Sequence, residues 1–231
     1  MVDALDSKSS ELWLVRVRVS PSAPTIYLKK SIGYKVSLIN MDDFAFVGTV
    51  AQSSVFLAKQ MAKYTKNLDD NAKILEIGAG KGPITKYLVD NLKPNQHLDV
   101  VEIMPEFYAI LEKKFSNKKN VSLYCIDILK FKNEQPYDLI ICSLPFNSIE
   151  PSITEQIMDL MPKIIKKNAV FSFFEYAYVH KIVSYFLNRK NKIRYKKSRK
   201  LIENFIQKYE FEHTYVYMNA PPAIVRFLKF K

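Results

Sequence analysis

The sequence predicts an α/β fold in which helices cover both faces of a mostly parallel sheet. Three observations predict it: apolar strand-like runs alternate with helical patterns, alternate glycines follow the first of these strands, and two further strand-like runs end the chain. Alternation of this kind favours parallel strands joined by right-handed crossovers. The closing pair of runs predicts an antiparallel hairpin at the end of the sheet.

The alternating region supplies most of the predicted elements. The strand-like runs are 73–77, 97–102, 121–125, 137–142 and 168–175. The helical patterns between them are 83–92, 105–116 and 151–166. Two more helices are expected near 178–188 and 199–209, with a basic segment at 189–200, and the hairpin strands are Phe211–Tyr217 and Ala223–Phe230.

The first part of the chain is predicted as an N-terminal extension, residues 1–43, attached to a main domain at 44–231. A short strand is expected at the end of Leu12–Val19, where apolar and basic residues alternate, and residues 27–40 show no clear period. Ser53 and Ser54 are suitable caps for a helix that runs to about Tyr64.

Composition and charge limit the class of protein. The chain has 231 residues and a net charge of +12, and residues 178–231 hold 13 Lys/Arg against 3 acidic residues. Such a surface suits an anionic partner, either nucleic acid or anionic lipid, although a merely solvated basic face is the alternative. Cys125 and Cys142 lie in apolar strands, which predicts buried, reduced thiols in a cytosolic protein. We find no metal-ligand spacing, secretion signal or membrane-spanning stretch.

The loop after the first predicted strand is the first candidate site. Glycines at alternate positions allow a sharp turn and let a ligand approach main-chain amides at a helix N-terminus. A strand–helix turn without a ligand is the alternative. The candidate ligand-binding residues of this segment are Glu76, Gly78, Ala79, Gly80 and Gly82.

Acidic residues follow the next two strands. Glu102 lies about 20 residues past the glycines, the spacing of the acid that binds ribose hydroxyls in dinucleotide sites. An exposed strand-end carboxylate is the alternative for Glu102. Asp127 is placed to accept a hydrogen bond from an adenine amine, and Ile103, Ile126 and Ile128 lie beside these acids as candidate adenine contacts or as ordinary core residues.

The loop after the fourth strand is the candidate catalytic segment, and its residues are Ser143, Leu144, Pro145, Phe146 and Asn147. Proline there fixes the backbone, and the carbonyl and amide oxygens can accept hydrogen bonds from an attacking amine. The Phe146 ring is expected to offer a face that tolerates a cation. Ser143 also belongs to the candidate cofactor set, and Tyr176, after the fifth strand, is a further candidate for holding the amine.

Residues 73–147 resemble a Class I S-adenosylmethionine-dependent methyltransferase. The resemblance implies a Rossmann-like seven-stranded sheet and S-adenosyl-L-methionine as cofactor, with Glu76–Gly82 as its loop, Glu102 on the ribose and Asp127 on the adenine. Residues 143–147 are similar to the catalytic loop of amine methyltransferases, with Ser and Phe where Asn and Tyr are usual.

Two families are close. The rRNA adenine dimethyltransferases have Asn-Leu-Pro-Tyr-Asn in this loop. They also append a C-terminal helical domain, and we expect no room for such a domain after the predicted hairpin in these 231 residues. The bacterial phospholipid N-methyltransferases have a Ser-containing Leu-Pro segment there. Residues 46–54, 171–176 and 215–223 are similar to segments of the phospholipid enzymes.

The resemblance to the phospholipid enzymes implies a function. The expected reaction methylates the ethanolamine amine of phosphatidylethanolamine towards phosphatidylcholine. The expected enzyme is cytoplasmic and binds an anionic membrane surface peripherally through 189–200. The apolar stripe that follows, from Leu201 to Tyr209, either joins this adsorption or packs on the sheet. The alternatives are an rRNA adenine methyltransferase and a non-catalytic cofactor-binding protein.

Overall fold

The computed structural model describes residues 14–17 and 26–29 as backbone, and residues 54–177 and 189–231 in full apart from the Lys190 side chain. The helix expected near 178–188, the Ser53 cap and the rest of the N-terminal region lie outside the described residues. The chain divides into two compact units, Met1–Ser37 and Leu38–Lys231.

The first unit contains a two-stranded antiparallel sheet. It is formed by β1 (Leu14–Val17) and β2 (Ile26–Lys29), and Leu14 pairs with Lys29. The strand expected within Leu12–Val19 is therefore confirmed, whereas β2 was not predicted because its sequence has no clear period. The extension with a boundary at residue 43 stays a prediction.

The second unit is built on a seven-stranded sheet with the order β5-β4-β3-β6-β7-β9-β8. Its strands are β3 (Lys73–Ile77), β4 (His97–Glu102), β5 (Val121–Cys125), β6 (Tyr137–Cys142), β7 (Ile165–Tyr176), β8 (Glu210–Val216) and β9 (Ala223–Lys229). Strands β3 to β7 are parallel, and β9 runs antiparallel to both β7 and β8. This arrangement confirms the predicted mostly parallel sheet with a C-terminal hairpin.

Helices cover both faces of this sheet. They are α1 (Val55–Met61), followed by a 3-10 helix (Lys63–Asn67), then α2 (Pro83–Asn91), α3 (Pro105–Phe115), α4 (Pro151–Ile164) and α5 (Arg189–Tyr209). Helices α2, α3 and α4 each have proline in the first turn, where its missing N–H has no intrahelical partner to lose. Within the described ranges, no helix has the length and apolarity required to cross a bilayer.

Helix α5 is longer than predicted because the basic segment 189–200 is itself helical. Its apolar stripe packs on the sheet: Ile202 and Phe205 are buried, and Ile206 and Tyr209 lie against the same core cluster. Of the two alternatives for this stripe, the structure therefore supports packing on the sheet. The basic residues of the helix remain as the part available to an anionic partner.

The two cysteines differ in exposure. Cys142 is buried in central strand β6, as expected, and burial raises the pKa of its thiol to about 12. Cys125 is exposed, which corrects the prediction. It lies on edge strand β5, and residues 126–136, which follow it, contain neither helix nor strand to cover it.

A network of ion pairs joins α5 to the hairpin across β7. The Glu175 carboxylate pairs with the Arg199 guanidinium of α5 and, at 2.6 Å, with Arg226 Nε of β9. Arg226 also pairs with Glu210 at 2.6 Å, and Arg199 pairs with Glu203 at 2.9 Å. The side chains of Glu175, Arg199 and Arg226 are only 8%, 17% and 16% exposed, so all three charges are held largely out of water.

We expect Glu175→Gln to lower the free energy of unfolding by about 3 kcal/mol, because it leaves two largely buried guanidinium groups without their shared counter-ion. The measurement is urea unfolding of the purified protein. Asp90→Asn is the matched control, since it removes the exposed Lys86–Asp90 pair of α2 and is expected to leave the free energy nearly unchanged. Equal losses in the two variants would contradict the account.

Candidate active site

The loops that follow β3, β4 and β6 lie together at the carboxyl edge of the parallel sheet. The ladder continues into them: Ser143 N–H donates to the Ile77 carbonyl at 2.8 Å, and Gly78 N–H donates to the Val101 carbonyl at 2.8 Å. The glycine loop is therefore fixed on one side by β4 and on the other by the segment after β6. Ligands of open α/β sheets bind at this edge.

The three loop glycines are all in the left-handed region, with φ of 73° at Gly78, 56° at Gly80 and 82° at Gly82. A Cβ on Gly82 would lie 2.8 Å from Leu111 Cδ2, so this glycine is needed for packing against α3. A Cβ on Gly80 would meet no atom within 4 Å. The open space is thus in front of Gly80, where a ligand can approach the main chain.

Glu102 is bound to the glycine loop. One carboxylate oxygen accepts from Gly80 N–H at 2.7 Å, and the other accepts from Met104 N–H at 2.9 Å. Burial raises the pKa of Glu102, and these amide donors oppose the rise. The residue is 5% exposed, so the alternative of an exposed strand-end carboxylate is wrong. Each oxygen can accept a further hydrogen bond, as a ribose hydroxyl would require.

Glu76 lies inside the domain without a hydrogen-bond partner. It is 0% exposed, and neither carboxylate oxygen has a hydrogen-bond partner of good geometry. The Thr85 hydroxyl and amide nevertheless lie close enough to lower the pKa of Glu76 somewhat. Burial, and to a smaller extent the charge of Glu102, raises the pKa of Glu76 to about 8. A buried polar group without a partner requires an explanation, and a bound ligand supplies one.

The segment after β6 has two more unpartnered polar atoms, Ser143 Oγ and Asn147 Oδ1, both shielded from solvent. The Leu144 and Pro145 carbonyls already accept from nearby amides, at 2.9 Å from Phe146 N–H and 2.7 Å from Ser148 N–H. The turn is therefore held by its own backbone. The acceptors of this segment that lack a partner are therefore the side-chain oxygens of Ser143 and Asn147, whereas the Leu144 and Pro145 carbonyls each accept a hydrogen bond already.

The Phe146 ring does not line an open cleft as expected. It is 4% exposed and lies edge-on to Phe173 with ring centroids 5.7 Å apart. The alternation of β6 continues into the loop and directs this side chain to the core. Tyr176, at the end of β7, is half-buried and lies edge-on to Phe174 at 5.5 Å, and burial raises its pKa.

The candidate adenine contacts divide into two groups. Ile103 is 48% exposed beside Glu102, so its side chain is free to cover an aromatic ring. Ile128 is 5% exposed within the core, and Ile126 packs against that core. Asp127 caps the following turn, since its Oδ1 accepts from Leu129 N–H at 3.0 Å.

Sequence reasoning missed Arg194. Its guanidinium, on α5, donates to the Ser148 carbonyl at 2.8 Å and pairs with Glu150 Oε1 at 3.1 Å. Helix α5 is thereby attached to the end of the candidate catalytic segment. Nothing in the basic run distinguishes this inward-facing arginine from its solvated neighbours.

These features fit S-adenosylmethionine. The Gly80 main chain borders open space, buried oxygens of Glu76 and Ser143 lack partners, and Glu102 keeps accepting capacity. The ligand carries hydroxyl, amine and carboxyl groups as well as a sulfonium. The hydrogen-bond donors and acceptors at this edge of the sheet are of the types that these ligand groups require.

We expect Glu76→Gln to stabilise the ligand-free protein in a pH-dependent manner. The pKa of Glu76 is about 8 in the folded state, whereas in the unfolded chain the carboxyl has its ordinary pKa of 4.5. Stability from this group is therefore fully present below the lower value and is lost as pH rises towards the higher one. At pH 8.5 the free energy of unfolding of Glu76→Gln should exceed that of the wild type by about 3 to 5 kcal/mol, and near pH 4.5 the two free energies should differ little. Parallel pH profiles in urea unfolding would contradict this.

Alanine at Gly80 and at Gly82 should have different effects. Gly80→Ala adds only left-handed strain of about 1 kcal/mol but fills the open space, so affinity for S-adenosylhomocysteine should fall at least about tenfold. Gly82→Ala adds a clash with the core and should cost about 2 kcal/mol or more in unfolding free energy. Calorimetric titration and urea unfolding measure the two effects. Unchanged ligand affinity in Gly80→Ala would rule out binding of the ligand in the open space in front of Gly80.

Comparisons with known proteins identify the family of this chain. The family model for ribosomal RNA adenine dimethylases matches residues 56–227. The ornithine lipid N-methyltransferase of Singulisphaera acidiphila is 25% identical over 134 residues, which are 54% of this chain and 68% of that protein. Ribosomal RNA small subunit methyltransferase A of Fusobacterium nucleatum is 34% identical over 94 residues, 39% of this chain and 34% of that protein. The chain thus spans about two thirds of the first relative and one third of the second.

Solved structures share the fold. N-methyltransferase NodS from Bradyrhizobium japonicum, in complex with S-adenosyl-L-homocysteine, has a TM-score of 0.55 at 15% identity, covering 77% of this chain and 89% of that one. A putative rRNA-methylase from Clostridium thermocellum has a TM-score of 0.56 at 15% identity, covering 76% and 96%. With the family match over residues 56–227, the chain belongs to the ribosomal RNA adenine dimethylase family and is an S-adenosylmethionine-dependent N-methyltransferase.

Proposed function

We propose that this enzyme methylates the ethanolamine amine of a phospholipid, converting phosphatidylethanolamine towards phosphatidylcholine at a membrane surface. The observation that carries the proposal is the extent of the match with the ornithine lipid N-methyltransferase. It covers 134 residues and 68% of that protein, whereas the match with the rRNA enzyme covers 94 residues and 34%. Similarity to a lipid-amine enzyme therefore extends further along both chains.

The proposed cofactor contacts are Glu76, Gly78, Ala79, Gly80, Gly82, Glu102, Ile103, Asp127, Ile128 and Ser143. When bound, S-adenosylmethionine supplies a methyl group already activated on a sulfonium. What the chain must add is alignment of the acceptor nitrogen, and much of the rate gain of such a transfer comes from positioning.

The proposed catalytic residues are Ser143, Leu144, Pro145, Phe146, Asn147 and Tyr176, which either contact the acceptor or support the loop that does. Among them Asn147 Oδ1 is buried and unpartnered, so it is suited to accept a hydrogen bond from the amine. Phe146 supports the loop from the core, because its ring is buried. Tyr176 supplies an aromatic side chain near a product that becomes cationic.

An ethanolamine headgroup arrives mostly as ammonium and must lose a proton before attack. The two histidines in the described residues are poorly placed for this step. His97 is at the start of β4 and bonds Ser122 at 2.9 Å, and His213 on β8 bonds Glu210 at 2.9 Å. We therefore assign the proton to water or to the lipid phosphate, with Asn147 holding the neutral amine.

Helix α5 provides the proposed membrane contact. Its exposed cations within 189–200 are Arg189, Lys192, Lys196, Lys197 and Lys200. Each basic residue near an anionic leaflet contributes about 1 kcal/mol of attraction. Because Arg194 attaches the same helix to Ser148, this basic surface begins beside the candidate catalytic segment.

The second candidate is methylation of an adenine amine in RNA, which the family match at residues 56–227 favours. The cationic face of α5 would bind phosphates of either partner. An adenine amine is neutral, so it would need no prior deprotonation.

We expect Asn147→Ala to reduce turnover about 100-fold while changing affinity for S-adenosylhomocysteine less than about threefold, since the lost oxygen contacts only the acceptor. Steady-state kinetics and calorimetric titration give the two quantities. Asn91→Ala, on the exposed side of α2, is the control. Wild-type turnover in Asn147→Ala would refute the assigned role.

The proposed reaction is tested with purified protein, methyl-labelled S-adenosylmethionine and vesicles containing phosphatidylethanolamine. The expected result is label in the lipid extract, with methylated ethanolamine headgroups identified by mass spectrometry. An unlabelled extract from protein that still binds cofactor would overturn the proposal.

A further inference from the structure

We propose that an apolar rim, formed by Val55, Phe56, Tyr217 and Met218, inserts into the lipid surface and turns the active-site edge towards the bilayer. The inference rests on the proposed function, because only a lipid acceptor requires the catalytic edge to meet a membrane. It goes beyond the basic helix in naming the part of the fold that penetrates and in fixing the orientation of the domain.

The rim lies at the same edge of the sheet as the candidate site. Strand β9 begins at Ala223, which pairs with Tyr176 at the end of β7 on one side and with Val216 at the end of β8 on the other. The connector between β8 and β9 therefore lies beside the end of β7. Tyr217 and Met218 are in this connector, so they lie at the same edge of the sheet as Tyr176.

The start of α1 is tied to the same connector. Ser54 N–H donates to Asn219 Oδ1 at 3.1 Å, and Asn219 Nδ2 donates to the Pro221 carbonyl at 2.8 Å. Asn219 is 3% exposed, so this junction is buried. Val55 directly follows Ser54 and Met218 directly precedes Asn219, which brings the two exposed segments together on a fixed support.

The exposure of these side chains is high for their type. Val55 is 73% exposed, Phe56 54%, Tyr217 66% and Met218 70%. Tyr217 also stacks on Tyr215, itself 42% exposed, with ring centroids 5.7 Å apart. Single exposed apolar residues are ordinary, but a group of them at the edge of a catalytic site marks an interaction surface.

Charge decides between the possible occupants of the rim. The exposed cations of α5 begin at the same edge, because Arg194 on that helix bonds the Ser148 carbonyl after β6. Apolar side chains and the exposed cations of a basic helix at one edge of a sheet suit an anionic bilayer, in which the apolar side chains enter the acyl boundary and the cations meet headgroups. Tyrosine favours the interface between the two. Val55 and Met218 would gain nothing from RNA phosphates, so the combination favours lipid.

The test compares two rim variants, Tyr217→Ser with Met218→Ser and Val55→Ser with Phe56→Ser, in co-sedimentation with phosphatidylethanolamine–phosphatidylglycerol vesicles. Each pair should lower the partition coefficient about tenfold or more, because two apolar side chains no longer enter the bilayer. Phe211→Ser is the matched control, since Phe211 is 43% exposed but lies at the opposite end of β8, and it should change partition less than about twofold. Thermal unfolding and S-adenosylhomocysteine binding should match the wild type in a folded variant.

Two results would overturn the inference: wild-type vesicle partition in both folded rim variants, or an equal loss in Phe211→Ser. Methyl transfer to phosphatidylethanolamine dispersed in detergent reports separately on the proposed function. If the wild type methylates the dispersed lipid while the rim variants bind vesicles normally, the rim alone is refuted. If vesicle binding depends on the rim but dispersed lipid is never methylated, the surface assignment stands and the proposed reaction fails.

Discussion

The close approach of two loops determines how this methyltransferase is arranged. Ser143 N–H donates to the Ile77 carbonyl at 2.8 Å, and a Cβ on Gly78 would lie 2.8 Å from Leu144 Cδ2. The glycine loop after β3 and the segment after β6 are therefore in contact, and only glycine at position 78 leaves room for that contact. Since methyl transfer from a sulfonium depends mainly on alignment, this packing would set the position of the acceptor relative to the cofactor at the sites proposed for them.

The same edge contains buried polar groups that do not stabilise the ligand-free fold. Glu76, Ser143 and Asn147 each have at least one shielded oxygen without a partner, and burial raises the pKa of Glu76 to about 8. Each such group costs stability unless a ligand satisfies it. Their concentration between β3 and β6 indicates that the sequence retains unsatisfied groups where cofactor and acceptor are proposed to bind.

The sequence was most informative where the chain changes direction. Element boundaries are marked by the alternate glycines after β3 and by the prolines at the starts of α2, α3 and α4. These elements lie within a few residues of their predicted positions. It was least informative about which side of an element faces inward. The basic run conceals Arg194 and Arg199, whose partners Ser148 and Glu175 are distant in sequence. Cys125 was expected to be buried but is exposed, because its strand lies at the edge of the sheet. The apolar pattern of a strand does not reveal its place in the strand order.

The acceptor is the point on which the account can be contradicted most directly. One reaction containing labelled S-adenosylmethionine, phosphatidylethanolamine vesicles and a ribosomal RNA fragment offers both candidate amines at once. Solvent extraction then separates lipid from RNA, and the label is counted in each phase. The account predicts label in the organic phase and almost none in the RNA; label confined to the RNA would contradict it.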